Sequence, residues 1–104
     1  MTLSNKARIL GFMKKIIKLN NPHLEQNLTA ALLGQAIKAR RTQSGLRLED
    51  AAALCGVAKQ TFMKIEHGHP TSQLQSVLQI CSALGIKIYI APWHNDKETT
   101  DDWS

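Results

Sequence analysis

The stretch of sequence that decides the fold runs from Gly45 to Gly68 and reads GLRLEDAAALCGVAKQTFMKIEHG. It predicts two short helices, over residues 49–55 and 58–67, joined by a tight turn. Gly56 stands where a left-handed residue ends a helix, a conformation that glycine adopts without steric cost. Val57 follows in the turn and is expected to point inward.

The second of these helices is predicted to have a buried and an exposed face. Phe62, Ile65 and Glu66 share one face at helical spacing, and we expect that face to be buried. The residues left pointing away from the core are Lys59, Gln60, Thr61 and Lys64. Amide and ammonium groups pair with base edges in the major groove of DNA, and ammonium groups also pair with phosphate. Two helices around a glycine-containing turn, with the second helix exposed, form the helix-turn-helix pattern, so we predict that these four side chains read DNA bases.

Residues 33–89 resemble the lambda-repressor-like family of helix-turn-helix domains, of the Cro/cI or XRE type. The matching pieces, in order, are LGQAIKARR, SGLRLEDAAALCGVA, FMKIEHG and LQSVLQICSALGI. The resemblance implies a structural ion pair between Arg41, late in the first helix, and Glu66, near the end of the recognition helix. Many members carry a phosphate-binding glutamine at the start of the second helix. Leu48 stands there in this chain, and Arg47, one residue earlier, is the expected replacement.

A narrower resemblance, to the HipB-like antitoxins, rests on the run IKIYIA at residues 86–91, the acidic tail that follows it, and the sequence KQT at residues 59–61. It implies a repressor that binds operator DNA as a dimer and helps to restrain a HipA-like kinase toxin. The alternative is a stand-alone XRE-type transcriptional regulator with no toxin partner. Trp103 in the tail is the candidate anchor for a partner, although the tail could equally fold back onto the basic body or have no role.

Length and charge set further bounds on the molecule. The 104 residues fit one domain with a small core, so dimerisation would help stability. Residues 1–94 hold twelve lysines and arginines against four acidic residues, a balance that suits a polyanionic partner, whereas residues 95–104 are acidic. Cys55 and Cys81 are expected to be buried free thiols rather than a disulfide. No signal peptide or membrane span is expected, which predicts a cytoplasmic, nucleoid-associated protein.

The chain is predicted to form four segments. They are an N-terminal amphipathic helix and connector at 1–27, a helix-turn-helix DNA-binding domain at 28–85, a dimerisation strand at 86–92, and an acidic flexible tail at 93–104. The expected fold class is therefore all-α, with about five helices including the N-terminal extra helix, plus one short C-terminal strand that pairs across a dimer. The extra helix, from Ser4 to about Leu19, carries an apolar stripe that needs cover from the domain or its dimer mate. A membrane surface is the alternative cover.

Two further helices complete the predicted domain. The first is capped by Thr29 and ends at Gln43. The last is capped by Thr71 or Ser72 and ends at Gly85. The apolar positions that mark it as a helix are Leu74, Val77, Leu78, Cys81 and Leu84.

The predicted strand alternates, with Ile86, Ile88 and Ile90 on one side. A lone strand leaves its backbone groups unpaired, and the simplest partner is the same strand of a second copy about a two-fold axis. Such a homodimer predicts an operator that is an inverted repeat, with half-site centres about one helical turn apart or a multiple of it. The alternatives are pairing with the N-terminal segment or with another protein.

The remaining predicted contacts are to the DNA backbone. The candidates are Arg40, Arg47, His67 and His69. No metal site is expected, because the two histidines lack further ligands at the usual spacing, and no cofactor is expected. An enzyme such as a small nuclease is disfavoured, since there are no paired carboxylates in a plausible cleft and no nucleophile with an adjacent base.

Overall fold

The computed structural model describes residues 16–93, which contain four helices and no strand. Helix α1 spans Ala30–Gln43, α2 spans Leu48–Cys55, α3 spans Lys59–Glu66, and α4 spans Leu74–Leu84. Most of the N-terminal helix predicted from Ser4 and the whole tail from His94, including Trp103, lie outside the described residues.

Local sequence signals set several helix ends as predicted. The Thr29 hydroxyl accepts a hydrogen bond from the Leu32 backbone N–H at 3.0 Å, so Thr29 caps α1. Gly56 ends α2 in the left-handed conformation, with φ 72° and ψ 31°. Gly85 ends α4 in the same way. In these three places a short-range rule decided the structure because the cap needs only neighbouring residues.

The predicted cap of α4 is wrong, since Gln73 rather than Thr71 or Ser72 stands at that position. The two hydroxyls are used inside the preceding loop. Ser72 Oγ donates to the backbone oxygen of His69, and Thr71 Oγ1 lies 3.1 Å from His69 Nδ1. The Gln73 side chain makes no capping hydrogen bond.

The core lies where α1, α2, α3 and α4 meet. Its largest fully buried side chains are Phe62, Ile37 and Ile80. Two of the apolar positions that mark α4 lie outside the core, because Leu74 is 68% exposed and Leu78 is 47% exposed. The helix instead buries Val77, Ile80, Cys81 and Leu84.

The chain that leads into α1 is irregular, so the predicted extra helix does not reach Leu19. The Leu19 backbone N–H donates to Thr42 Oγ1 at 3.1 Å, and the Gln43 side-chain amide donates to the Leu19 oxygen at 2.7 Å. These bonds tie the backbone of Leu19 to the end of α1 instead of to a helical turn of its own.

Within the described part of the chain, the segment predicted to be a strand has no strand pairing. Residues 86–93 are irregular, and a strand that would pair only with a second copy has no ladder partner within its own chain. That Ile86, Ile88 and Ile90 lie on one side of a strand that pairs across a dimer stays a prediction. Ile86 packs against the core, whereas Ile88 is 37% and Ile90 85% exposed.

Cys55 and Cys81 are free and buried, as predicted. Burial raises the pKa of the Cys81 thiol from 9.0 to about 11, with a smaller contribution from neighbouring Cys55. Burial also raises the pKa of the Cys55 thiol. The fold therefore favours the protonated form of both side chains.

This burial predicts that the domain loses stability as the pH rises from about 9 to about 11. In that window the Cys81 thiol ionises in the unfolded chain but stays protonated in the folded one, so unfolding releases a proton. Urea unfolding at several pH values would measure the slope. The Cys81→Ala variant should show a shallower fall, and an identical slope in both proteins would contradict the prediction.

Candidate nucleic-acid interface

Helix α3 presents one polar face to solvent. Lys59, Gln60 and Lys64 are exposed and Thr61 is half-buried, while the opposite face is buried. The buried side chains are Phe62, Ile65 and Glu66. Apart from Glu66, the charged groups of α3 are both positive and both exposed. The helix therefore offers ammonium and amide donors to whatever faces it.

The end of α3 is fixed by a buried ion pair with α1. Arg41 Nε lies 2.6 Å from Glu66 Oε2, and Arg41 Nη2 lies 3.2 Å from Glu66 Oε1, so the guanidinium makes a two-point contact. Arg41 Nη1 also donates to the backbone oxygen of Leu46 at 2.9 Å. One side chain thus joins α1, α3 and the loop before α2. The pair also removes the negative charge of Glu66 from the polar face.

Gly34 permits a close approach between α1 and the end of α3. A Cβ atom built at Gly34 would lie 2.4 Å from the backbone oxygen of Glu66 and 2.8 Å from that of Ile65. Those two atoms belong to the backbone and cannot rotate away, so only glycine fits at this crossing. The sequence interpretation missed this role, although a glycine inside a helix, which costs about 1 kcal/mol relative to alanine, was the available signal.

Gly68 continues the same contact just beyond α3. Its φ is +77°, and a Cβ built there would lie 3.0 Å from the Cα of Ala31. The end of α3 and the turn that follows it therefore rest against the backbone of α1. The position of α3 is set by main-chain packing as well as by the ion pair.

The turn between α2 and α3 is held from α4. The side-chain amide of Gln79 donates to the backbone oxygens of Cys55 and Gly56, at 2.8 and 3.2 Å. It thereby satisfies carbonyls that the end of α2 leaves free. Nothing in the local sequence pointed to Gln79, because the contact joins residues 23 and 24 positions apart.

The four predicted DNA-backbone residues lie in different surroundings. Arg47 is half-buried immediately before α2, next to the exposed Glu49 and Asp50 of the first turn. His67 and His69 are exposed directly after α3. Arg40 is also exposed, but its Nε donates to the backbone oxygen of Leu84 at 2.8 Å, so this side chain caps the end of α4.

Residues 16–93 contain no group of three or more histidines, cysteines or carboxylates that could hold a metal ion. No helix within those residues is long and apolar enough to cross a membrane.

Comparison with known proteins gives one family and several relatives. Residues 32–87 match the model of a family described as a helix-turn-helix domain. An uncharacterized HTH-type transcriptional regulator of Sinorhizobium fredii, y4mF, is 34% identical over 62 residues, covering 60% of this chain and 82% of that protein. An uncharacterized HTH-type transcriptional regulator of Haemophilus influenzae is 32% identical over 68 residues, covering 65% of this chain and 68% of that protein.

A longer relative aligns with a larger part of this chain. This protein of Pyrobaculum aerophilum is named as an HTH-type transcriptional regulatory protein, and it is 29% identical to this chain over 85 residues. The matched part covers 82% of this chain but only 32% of that protein.

Proposed function

The chain belongs to the XRE-like helix-turn-helix family, and from that membership we propose that it is a sequence-specific DNA-binding transcriptional regulator that acts as a repressor. The observation that carries the proposal is the polar face of α3. Lys59, Gln60 and Lys64 project from a helix whose other face is fixed to α1 and the core. Rigid support matters because base readout needs donors held at defined positions.

The base-reading role falls to the side chains on that face. Lys59 and Lys64 suit the two acceptors of guanine, and Gln60 suits the donor and acceptor of adenine in the major groove. Thr61 is half-buried and would assist from the edge of the contact. Each pairing follows from the donor and acceptor pattern of the side chain.

Phosphate contacts are assigned to residues that flank α3. His67 and His69 are exposed directly after the helix, and the first turn of α3 carries no acidic residue. Its free backbone N–H groups are therefore open to a phosphate. The start of α2 is less suited, because Glu49 and Asp50 lie there and would repel phosphate, so Arg47 is needed to offset them. Arg40 would make its contact with the part of its guanidinium that does not cap α4.

We propose that the functional unit is a two-fold homodimer formed through residues 86–92. The segment extends past α4 with Ile88 and Ile90 exposed, and a second copy would cover them. Two copies of α3 would then meet two half-sites of an inverted-repeat operator. Nuclease protection of the DNA upstream of the protein's own gene tests both points. A protected inverted repeat is expected, and absence of any protected sequence would contradict the proposal.

The Lys64→Ala variant is expected to weaken operator binding by about 1–3 kcal/mol, because the variant loses a donor to a base edge. Gel-shift titration against the protected sequence measures the change. Lys18→Ala is the matched control, since Lys18 is an exposed lysine in the irregular stretch before α1 and not part of α3. An equal loss of operator affinity in both variants would show that Lys64 contributes only its positive charge and does not read a base.

We propose further that the regulator is the HipB-like antitoxin of a toxin–antitoxin operon and that it helps to restrain a HipA-like kinase. The support is the resemblance at residues 86–91 and the exposed apolar side chains there. Affinity purification from the native host should recover a kinase whose gene adjoins this one. A stand-alone regulator would return only itself and DNA, which would reject the antitoxin role and keep the repressor.

A further inference from the structure

A groove of about 510 Å³ lies between the connector, α1 and the segment after α4. Its lining includes Leu24 and Leu28 of the connector, Leu33 of α1, and Ile88 and Tyr89 of the segment after α4. Concave sites of about 300–1,000 Å³ commonly enclose large apolar groups. Because Leu24 and Leu28 remain more than half exposed, the groove is open and suited to an apolar occupant.

The chain beside the groove carries side chains of that kind. Tyr89 and Trp93 are each 83% exposed and Ile90 is 85% exposed. Backbone hydrogen bonds from α4 stop at Ile86, whose N–H donates to Cys81, and none is made by residues 87–91 within the described part of the chain. This segment therefore has exposed apolar side chains, and its backbone groups have no hydrogen-bond partner among residues 16–93.

We propose that the groove receives Tyr89 and Trp93 of a second copy of this chain. The inference rests on the proposed homodimer and names what completes its interface. Residues 88 and 89 line their own groove while the Tyr89 side chain remains in solvent, so the segment does not fill the groove that it borders. A two-fold axis at this edge would place each copy's segment beside the other's groove.

Interface area favours this arrangement over strand pairing alone. Specific dimers bury roughly 1,200–2,000 Å² in total, whereas a pair of short strands contributes mainly backbone hydrogen bonds. Buried aromatic side chains contribute roughly 150–250 Å² each, so the four aromatic side chains of two copies would supply about half of the required area. The two grooves are then part of the dimer interface rather than separate ligand sites.

The test uses Trp93 as its own reporter. In the Trp103→Phe background Trp93 is the single tryptophan, and its emission maximum is recorded over a protein dilution series alongside sedimentation equilibrium. We expect a blue shift that follows the dimer population. Trp93→Ala and, separately, Leu28→Asp should each raise the dimer dissociation constant about tenfold or more, as loss of a central interface contact does.

Leu74→Asp is the matched control, because Leu74 is an exposed leucine on α4 that does not border the groove. It should leave the dissociation constant unchanged. Circular dichroism melting checks that the Leu28→Asp variant folds. The Trp93 fluorescence measurement does not depend on that variant, because it is made on a protein whose groove residues are unchanged.

Three outcomes would overturn the inference in distinct ways. A dimer in which Trp93 stays in water would keep the proposed homodimer and reject the groove as its contact. A blue shift in a monomer, independent of concentration, would show that the chain fills its own groove. A monomer with water-exposed Trp93 at every concentration would reject both the homodimer and the inference. It would leave DNA binding untouched, because operator binding is measured separately.

Discussion

The Glu66→Ala variant is expected to lower the free energy of unfolding by about 3–5 kcal/mol. The substitution removes the carboxylate that Arg41 contacts at 2.6 Å and leaves a guanidinium buried without its counter-charge. Small domains have a total stability of about 5–15 kcal/mol, so much of the fold's margin would be lost. Urea or thermal unfolding followed by circular dichroism measures the effect.

A double substitution separates the cost of an unpaired charge from the worth of the pair. Arg41→Met combined with Glu66→Leu removes both charges and keeps apolar volume, so it should be much less destabilised than Glu66→Ala. Glu49→Ala serves as the control for losing an exposed carboxylate and should change stability by less than about 0.5 kcal/mol. A Glu66→Ala protein as stable as the Glu49→Ala protein would show that the pair contributes nothing.

The Gly34→Val variant is expected to lose about 3 kcal/mol, the upper end of the usual cost of overpacking. A Cβ at this position would already lie 2.4 Å from the Glu66 backbone oxygen, and valine adds two further carbon atoms. The end of α3 must then move away from α1. Chemical unfolding measures the loss, and operator binding should fall as well because the polar face of α3 is displaced.

Gln35→Val is the matched control for this substitution. Gln35 is the next residue of α1 and is exposed, so the same side chain is introduced into the same helix without a clash. Its cost should be no more than the modest helix-propensity difference, roughly 0.5 kcal/mol. Equal losses at positions 34 and 35 would mean that valine in a helix, rather than the close approach, causes the effect.

The parts of the fold that follow from short-range rules could be predicted from the sequence. Thr29 as a cap, Gly56 and Gly85 as helix ends, and the helical spacing of Phe62 and Ile65 each depend on residues within one or two turns. The polar face of α3 could be predicted for the same reason, since one face of a helix is known once the other is assigned to the core.

The errors arose where distant residues decide between local alternatives. In α4, the apolar positions 74, 77, 78, 81 and 84 satisfy helical spacing, but so do 77, 80, 81 and 84. Packing against the other three helices selected the second set. Local spacing likewise predicts that Leu19 ends a helix, whereas Thr42 and Gln43 bind its backbone from the end of α1.

Contacts across the fold were also missed. Gln79 holds the carbonyls at the end of α2, and Arg40 caps α4, although the sequence indicated only a surface cation there. Both side chains act on the backbone of a residue more than twenty positions away. Such bonds leave no periodic pattern, because any long polar side chain at the right place can make them.

The main-chain contact between α1 and the end of α3 has a mechanical consequence. Two backbones in direct contact through Gly34 and Gly68 leave little slack for α3 to slide or roll. If two copies bind as the homodimer proposed above, operators whose half-sites differ in separation require an adjustment, and α3 cannot supply it by moving within its own subunit. The adjustment must then come from hinge motion between the two subunits or from bending of the DNA duplex. Operator binding measured at several half-site separations would therefore report how stiff the contact between the two copies is.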